Sequence, residues 1–315
     1  MTPVAWQQAW QEALYGPGGF YRSAVGPSGH FSTATHGGPG EVLGAALARL
    51  ARENDLDHVV DVGAGRGELL GHVYAAQPTL RRTGVDVVAR PASLDPSAEW
   101  LVSPGGGPDL PDRLRDLDGA LVIAHEWLDV VPCPVAEVDD RGVLRHVLVD
   151  PVTGAESLGE PLDGDDLAWV TAHWPTDRAG QRVEVGLPRD RAWAELVSRV
   201  ARGVLVAVDY GHRGGDRPAR GTLTAYRHGH QVAPVPDGTC DLTAHVAMDS
   251  LDHDELVDQR TALRGLGVDG RTPPIELAGS DPHAYLTALA SGSAAAALVA
   301  PGGFGDFLWA VKRVG

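Results

Sequence analysis

The chain has 315 residues, of which 43% are hydrophobic, so it can bury a sizeable core as one large domain or two ordinary ones. Its 42 acidic residues outnumber 26 lysines and arginines, and the net charge of −16 argues against a nucleic-acid-binding surface, which needs basic patches. The two cysteines predict neither a disulfide framework nor a metal site, and no apolar run reaches the ~18 residues of a membrane span. Because the N-terminus also lacks a secretory signal, we expect a cytoplasmic protein without metal, membrane or nucleic-acid partners.

The first fifty residues are predicted to form a helical cap or lid, with a glycine-rich loop between two amphipathic helices. Beyond them, apolar strands alternate with helices. The predicted elements of this half are helices over 3–15, 40–53 and 67–77 and strands over 57–62 and 83–88. A Pro/Gly-rich connection follows over 89–113.

The second half continues the alternation. The predicted elements are strands over 121–124, 204–208 and 307–311, a hairpin over 135–150, and helices over 188–202 and about 249–265. Strands that alternate with helices predict an α/β fold with a doubly wound, mostly parallel sheet. The predicted core comprises residues 51–138 and 200–315, interrupted by an insertion over 139–199.

The segment 58–70 is the most informative part of the chain, because it reads as an apolar strand, a glycine turn and the start of a helix. Its three glycines allow a tight turn and close approach of a ligand; they are Gly63, Gly65 and Gly67. A dinucleotide-binding loop would need its third glycine at position 68, which is Glu68, and Asp61 would repel a pyrophosphate. Since an acid can pair with the amine of an amino-acid moiety, the pattern favours S-adenosylmethionine (SAM) over NAD.

A second acid, Asp86, lies near the end of the next predicted strand. A carboxylate there can accept hydrogen bonds from both ribose hydroxyls of a nucleotide. Alone, Asp61 and Asp86 would more often cap a helix or turn, but the glycine loop between them favours a cofactor site. The predicted cofactor-binding residues are Asp61, Gly63, Ala64, Gly65, Gly67 and Asp86.

Four segments occur together in an order typical of one known family. They are Gly29–Ala34, similar to G-D-F-x-T-A; the Gly63–Gly67 loop; His125–Pro132, similar to N-E-x-x-D-A-x-P; and Asp209–Gly211 with Gly221–Tyr226 and Asp241–Val246. They resemble the MidA family of SAM-dependent methyltransferases, whose mitochondrial relatives are complex I assembly factors that methylate arginine. The chain departs from the family's pattern at Asp61 (usually Glu), His30 (Asp) and His125 (Asn).

The resemblance implies a Rossmann-like class I methyltransferase fold, SAM as the cofactor, and N-methylation of a protein arginine. It also implies that Phe31 and Thr33 belong to a lid over SAM. The histidines at positions 30 and 125 leave a small-molecule acceptor open, because a histidine beside the methyl donor can act as a base for a hydroxyl or amine.

The predicted catalytic residues follow from the same segments. Glu126 and Asp129 follow a buried strand and can orient the planar guanidinium of an arginine, whose pKa lies above about 12. The alternative is an ion pair for Glu126 and a helix cap for Asp129. Asp241 and His245 are four residues apart and would be neighbours on a helix, either as a base with its orienting partner or as a plain surface pair. His125 completes the set.

Two other functions stay open from the sequence. The chain can be an assembly or interaction protein that keeps the fold and the SAM pocket, or an NAD(P)-dependent enzyme, against which Glu68 argues. The expected partner is a protein or small-molecule methyl acceptor, and a homodimer is a further possibility.

Overall fold

The computed structural model describes residues 2–23 and 34–315. The predicted lid residues Phe31 and Thr33, together with His30, therefore lie outside the described residues. Within the described ranges, none of the helices combines the length and apolar character needed to cross a membrane. The same ranges hold no group of three or more His, Cys, Asp or Glu side chains arranged for a metal ion.

The described chain contains strands and helices in alternation. The strands are β1 (Val4–Ala5), β2 (His58–Val62), β3 (Arg81–Asp86), β4 (Glu99–Val102), β5 (Leu117–His125), β6 (Val135–Val138), β7 (Leu144–Val149), β8 (Glu156–Pro161), β9 (Arg182–Glu184), β10 (Val200–Asp209), β11 (Gly211–His212), β12 (Thr224–Arg227), β13 (His230–Val232), β14 (Asp241–Thr243), β15 (Val246–Ala247), β16 (Glu255–Asp258) and β17 (Leu308–Val314). The helices are α1 (Trp6–Tyr15), α2 (Gly37–Glu53), α3 (Glu68–Ala76), α4 (Gly164–His173), α5 (Leu187–Ser198), α6 (Gln259–Gly265), α7 (Ile275–Ser280) and α8 (Pro282–Val299).

A seven-stranded sheet in the order β16-β17-β10-β5-β2-β3-β4 forms the centre of the fold. The strands from β10 to β4 pair in parallel, whereas β17 pairs antiparallel with both β10 and β16. This arrangement confirms the predicted α/β fold with a doubly wound, mostly parallel sheet.

Helices cover both faces of the sheet, which explains why its strands are apolar at nearly every position. On β5, Leu121 and Ile123 pack with α2 and α3 on one face. The intervening residues Val122 and Ala124 pack with Trp193 of α5 on the other. Successive strand residues point to opposite faces, so both layers draw on the same short strands.

A second sheet, in the order β1-β7-β6-β9 with β8 paired to β7, lies mainly between residues 135 and 184. Strands β6 and β7 confirm the predicted hairpin. Trp6 and Trp10 of α1 are fully buried in a core that includes Val147 and Val149 of β7. A three-stranded sheet, β13-β12-β14, completes this side of the molecule. The domain boundaries given above stay a prediction.

The helix predicted over about 249–265 is wrong in its first half. Residues Glu255–Asp258 form β16, which pairs with β17. Only Gln259–Gly265 is helical, and Asp258 caps this helix by accepting a hydrogen bond from the backbone N–H of Thr261 at 2.7 Å. Pairing with a strand distant in sequence has overridden the local helical pattern.

Three further differences concern the end of α5, the edge strand β4 and the helices α7 and α8. The helix predicted over 188–202 ends at Ser198, because Val200 already pairs with β5. Strand β4 lies within the supposed connection over 89–113, where its partly exposed edge position gave a weak pattern. Helices α7 and α8 were not predicted; α8 is apolar with only a small difference between its faces.

We expect Trp193→Ala to destabilise the protein by about 3–5 kcal/mol, because it removes a large, fully buried side chain between α5 and the central sheet. Urea unfolding would measure the change. Leu286→Ala is the control, because Leu286 is 62% exposed and its loss should change the free energy of unfolding by less than about 0.5 kcal/mol. Equal effects of the two substitutions would contradict the proposed packing.

Candidate functional site

A cavity of about 730 Å³ lies at the edge where β2, β3, β5 and β10 end. Ligands bind at this edge of open α/β sheets because the loops that follow the strands leave a crevice there. The predicted site residues that line the cavity are Asp61, Gly63, Ala64, Gly65, Asp86, His125, Glu126, Asp129, Asp241 and His245. The cavity therefore unites the predicted cofactor and catalytic groups, whereas Gly67 is not among its lining residues.

The glycine loop between β2 and α3 needs glycine at particular positions. Gly63 and Gly67 have φ values of 78° and 77°, which side chains of L-residues rarely adopt. A Cβ on Gly67 would also lie 2.8 Å from Leu94 Cδ1, and one on Gly63 would lie 3.2 Å from Trp127 Cδ1. Gly67 therefore shapes the loop from behind, while Gly63 keeps space beside Trp127.

Asp86 ties the glycine loop to the end of β3. Its Oδ2 accepts a hydrogen bond from the backbone N–H of Gly65 at 2.8 Å, and its Oδ1 accepts one from Val88 at 3.2 Å. Burial raises the pKa of Asp86, and these backbone donors oppose that rise. The carboxyl is thus fixed in the wall of the cavity, where a ligand's hydroxyl groups can donate to it.

Asp61 lies at the end of β2 and is only 3% exposed. Burial, together with the negative charges of the nearby Asp86 and Glu68, raises its pKa to about 7. A carboxyl in this setting becomes more acidic when a cation binds beside it. The glycine loop, Asp61 and Asp86 therefore fit a ligand with a cationic amine and a ribose, as SAM has.

The turn after β5 holds the predicted catalytic acids in a defined conformation. Glu126 has a φ of 50°, unusual for a residue with a side chain, and its backbone N–H donates to Val208 O at 2.8 Å. Asp209, at the end of β10, accepts hydrogen bonds through Oδ2 from the backbone N–H groups of Leu128 at 3.1 Å and Asp129 at 3.2 Å. Asp209 therefore positions the turn.

The carboxyl groups of Glu126, Asp129 and Asp241 line the same cavity; Asp129 and Asp241 are buried, whereas the Glu126 side chain is 22% exposed. Burial raises the pKa of Glu126 to about 8, and the negative charges of Asp129 and Asp241 add to the rise. Burial likewise raises the pKa of Asp241 to about 8. Glu126 and Asp241 therefore hold protons at neutral pH unless a cation binds beside them.

His125 is buried, and burial lowers its pKa to about 4. Its Nδ1 lies 3.4 Å from Glu126 Oε1, but at neutral pH this contact is not an ion pair because both groups are uncharged. Among the described residues, His125 Nε2 has no hydrogen-bond partner.

Asp129 is held by two hydroxyl groups, one from Tyr210 directly after β10 and one from Thr243 on β14. Its Oδ2 accepts a hydrogen bond from Tyr210 Oη and one from Thr243 Oγ1, the latter at 2.7 Å. Across the described residues, its other oxygen, Oδ1, has no partner. Burial raises the pKa of Asp129, while the two hydroxyls and Arg189 lower it.

The predicted helical pairing of Asp241 with His245 is wrong. Asp241 lies on β14, where Leu242 points away from the cavity and Thr243 points into it, so the segment has the alternation of a strand. Asp241 Oδ1 accepts a hydrogen bond from Tyr21 Oη at 2.7 Å. This polar–apolar–polar alternation was the signal for Thr243, which the sequence prediction did not include.

His245 also lines the cavity, but beside Tyr210, with 5.3 Å between the ring centroids. Although its side chain is accessible, the surrounding protein lowers its pKa, so the imidazole is neutral at neutral pH. Its backbone N–H donates to Thr222 Oγ1 at 2.9 Å, and Glu184 holds that segment through the backbone N–H of Thr222 at 2.9 Å.

Arg189 of α5 is a second group that the sequence prediction did not include. It is 1% exposed and donates hydrogen bonds to the carbonyl oxygens of Asp129 and His245, each at 2.8 Å, and of Val131 at 3.2 Å. Its charge lowers the pKa of Asp129 and of Asp209. No local sequence motif indicates this role of Arg189, because the segments that it contacts are more than fifty residues away in the sequence.

We expect Gly67→Ala to weaken binding of S-adenosyl-homocysteine by at least about tenfold, because the loop must distort to avoid an unfavourable φ and the contact with Leu94. Calorimetric titration would measure the affinity. Gly71→Ala is the matched control: Gly71 lies within α3 and a Cβ there would meet no atom within 4 Å. An unchanged affinity in Gly67→Ala would show that the loop does not need this glycine.

We expect the free energy of unfolding to fall as the pH rises from about 6.5 to about 8. In this range folded Glu126 and Asp241 still bind protons, because their pKa values are raised to about 8, whereas the unfolded chain has already lost them. His125 and His212, whose pKa values are lowered to about 4 and about 3, oppose this trend only below about 6.5, because above it they are neutral in both states.

Urea unfolding across this pH range would measure the trend, with Asp241→Asn as the test variant. Its decline should be smaller than that of the parent protein, because the asparagine does not titrate and its amide oxygen can still accept from Tyr21. An identical decline in both proteins would rule out a contribution from Asp241.

Comparison with protein families identifies the chain. A family described as "Putative S-adenosyl-L-methionine-dependent methyltransferase" matches residues 42–265, which is more than half of the chain. This range contains the glycine loop, Asp86, the turn after β5 and the strand that carries Asp241. A comparison with curated proteins finds no match.

Two crystal structures from Burkholderia thailandensis have a similar fold. One, bound to S-adenosyl-homocysteine, is 21% identical, with a TM-score of 0.75 over 99% of this chain and 88% of that chain. The other, a native structure, is 22% identical, with a TM-score of 0.75 over 99% of this chain and 87% of that chain. These similarities support the fold, and the family match covers the site; the chain belongs to this family and is an S-adenosyl-L-methionine-dependent methyltransferase.

Proposed function

We propose that the methyl acceptor is the guanidinium group of an arginine in a polypeptide. The observation that carries this proposal is the cluster of Glu126, Asp129 and Asp241, two buried carboxyls and one partly buried carboxyl in the same cavity as the glycine loop. Burying several carboxyls together is costly unless a cation compensates for them. An arginine side chain supplies that cation at any physiological pH.

The free oxygens of the cluster match the donors of a guanidinium. In the described part of the chain, Glu126 Oε1 and Asp129 Oδ1 have no hydrogen-bond partner. A guanidinium presents several N–H groups in one plane and can donate to two carboxylates at once. A lysine ammonium, being a compact point charge, would use this arrangement less fully.

The cofactor residues are part of the same proposal. Asp86 and Gly65 would hold the ribose side of SAM, and Asp61 would hold its amine. Bound SAM supplies an electrophilic methyl group on a positively charged sulfur. The buried acids orient the acceptor nitrogen towards that group and keep water away from it.

The proton that the acceptor nitrogen loses on methylation needs a base. Asp129 and Glu126 become charged when the guanidinium binds, and either can then accept this proton. His245 is neutral and faces the cavity, so it offers a further base. A hydroxyl or amine of a small molecule is the alternative acceptor, for which His245 would be the relevant group.

We expect transfer of a labelled methyl group from SAM to arginine-containing peptides, with the label located on arginine by mass spectrometry. Glu126→Gln and Asp129→Asn should each lower kcat/KM by at least about a hundredfold, because they remove an orienting or proton-accepting carboxylate. Asp165→Asn, at a side chain that is 80% exposed on α4, is the control for loss of a carboxyl. Methylation of small hydroxyl or amine compounds, with none of arginine, would overturn the proposal.

A further inference from the structure

Tyr210 and Thr243 bond to the same oxygen of Asp129. Tyr210 follows β10 and Thr243 lies on β14, so two separate elements converge on Oδ2. The two hydroxyl oxygens are also 2.5 Å apart, which makes one compact group of three oxygens. With Oδ2 occupied in this way, the carboxyl cannot rotate without breaking both bonds.

The other oxygen of Asp129 is left for a ligand. Within the described residues, Oδ1 accepts no hydrogen bond, although the side chain is buried and lines the cavity. A buried polar atom without a partner is costly, and such atoms occur where a ligand completes them. One oxygen of Asp129 is therefore fixed by the protein, and the other is available to a hydrogen-bond donor of a ligand.

We propose that Tyr210 and Thr243 are positioning residues that fix Asp129 by Oδ2, so that Oδ1 accepts a hydrogen bond from an N–H of the methyl acceptor. This inference rests on the proposed arginine acceptor. The two hydroxyl groups, acting through Asp129, thereby control how tightly and in which orientation the acceptor binds.

The electrostatics of Asp129 agree with this role. Hydrogen bonds from Thr243 and Tyr210 lower the pKa of Asp129 against the effect of burial, so they favour the charged form that a guanidinium needs. The other titratable or charged groups that interact electrostatically with Asp129 are Glu126, Asp209, Asp241, His245, Arg189, Tyr15 and Tyr21. None of them bonds to Oδ2.

The packing around both residues allows clean substitutions. The Tyr210 ring lies 5.3 Å from that of His245 and 5.5 Å from that of Phe307, contacts that a phenylalanine would keep. Thr243 is 2% exposed, and valine has nearly the same shape without the hydroxyl. Tyr210→Phe and Thr243→Val therefore keep the packing and remove only a bond to Asp129 and the contact between the two hydroxyls.

The experiment is calorimetric titration of N-acetyl-arginine methylamide into protein saturated with S-adenosyl-homocysteine. We expect Tyr210→Phe and Thr243→Val each to weaken binding of this probe by about tenfold, since each removes a hydrogen bond to a charged group. Thr243→Ser should restore binding to within about twofold of the parent protein. The affinity for S-adenosyl-homocysteine should stay unchanged in all three.

The pH dependence separates positioning from a general structural effect. In Tyr210→Phe the pKa of Asp129 should rise, so probe binding should require a higher pH than in the parent protein. The controls are Tyr74→Phe, on the exposed side of α3, and Thr171→Val, on the exposed side of α4; neither residue contacts the cavity.

Three results would overturn the inference in different ways. If the probe binds the parent protein and both variants alike, with the same pH dependence, the positioning role is wrong and the arginine acceptor stands. If the probe fails to bind the parent protein while S-adenosyl-homocysteine binds, the arginine acceptor is wrong and the inference falls with it. Loss of S-adenosyl-homocysteine binding in the variants would show a structural role instead.

Discussion

The buried guanidinium of Arg189 is the interaction on which the site depends. It joins α5 to the turn after β5 and to the segment after β14 by donating to the carbonyl oxygens of Asp129, Val131 and His245. Within the described residues, these bonds go to neutral oxygens, so no single carboxylate cancels the charge. The positive charge therefore acts on the neighbouring carboxyls, lowering the pKa of Asp129 and Asp209.

This arrangement makes the acid cluster tolerable without neutralising it. Arg189 sits beneath the turn, 5.7 Å from the ring of Trp10, while the free oxygens of Glu126 and Asp129 belong to the cavity side. Arg189 offsets only part of the cost of placing several carboxyls together. A cationic ligand that binds in the cavity can offset the rest. Burial is the main reason why Glu126 and Asp241 keep protons at neutral pH.

The parts of the site that the sequence predicted are those encoded locally. Asp61, Gly63, Gly65 and Asp86 lie on one strand–turn–helix–strand unit, whose pattern can be read from consecutive residues. Glu126 and Asp129 follow a single buried strand and were found for the same reason. The family resemblance added the segment near Asp241 but not its conformation.

What the sequence did not predict arises from contacts between distant residues. Thr243 meets Asp129 across 114 positions, and Tyr21 meets Asp241 across 220. The alternation along β14 indicates that Thr243 faces the same way as Asp241, but no local pattern shows which distant group either hydroxyl contacts. The helical spacing of Asp241 and His245 misled because β12 recruits Asp241–Thr243 as a strand, and pairing with a distant segment outweighs a four-residue period.

The position of β17 has a consequence for how the chain reaches this structure during synthesis. Of the seven central strands it comes last in sequence, yet it lies between β10 and β16 and pairs with both. Until residues 308–314 have emerged from the ribosome, β10 has an unpaired edge, and the core cluster that includes Trp309 is incomplete. The cofactor half, from β2 to β4, is complete in sequence much earlier. The protein can thus assemble its nucleotide-binding half first, whereas closure of the sheet beside Asp209 must wait until translation of this last strand has finished.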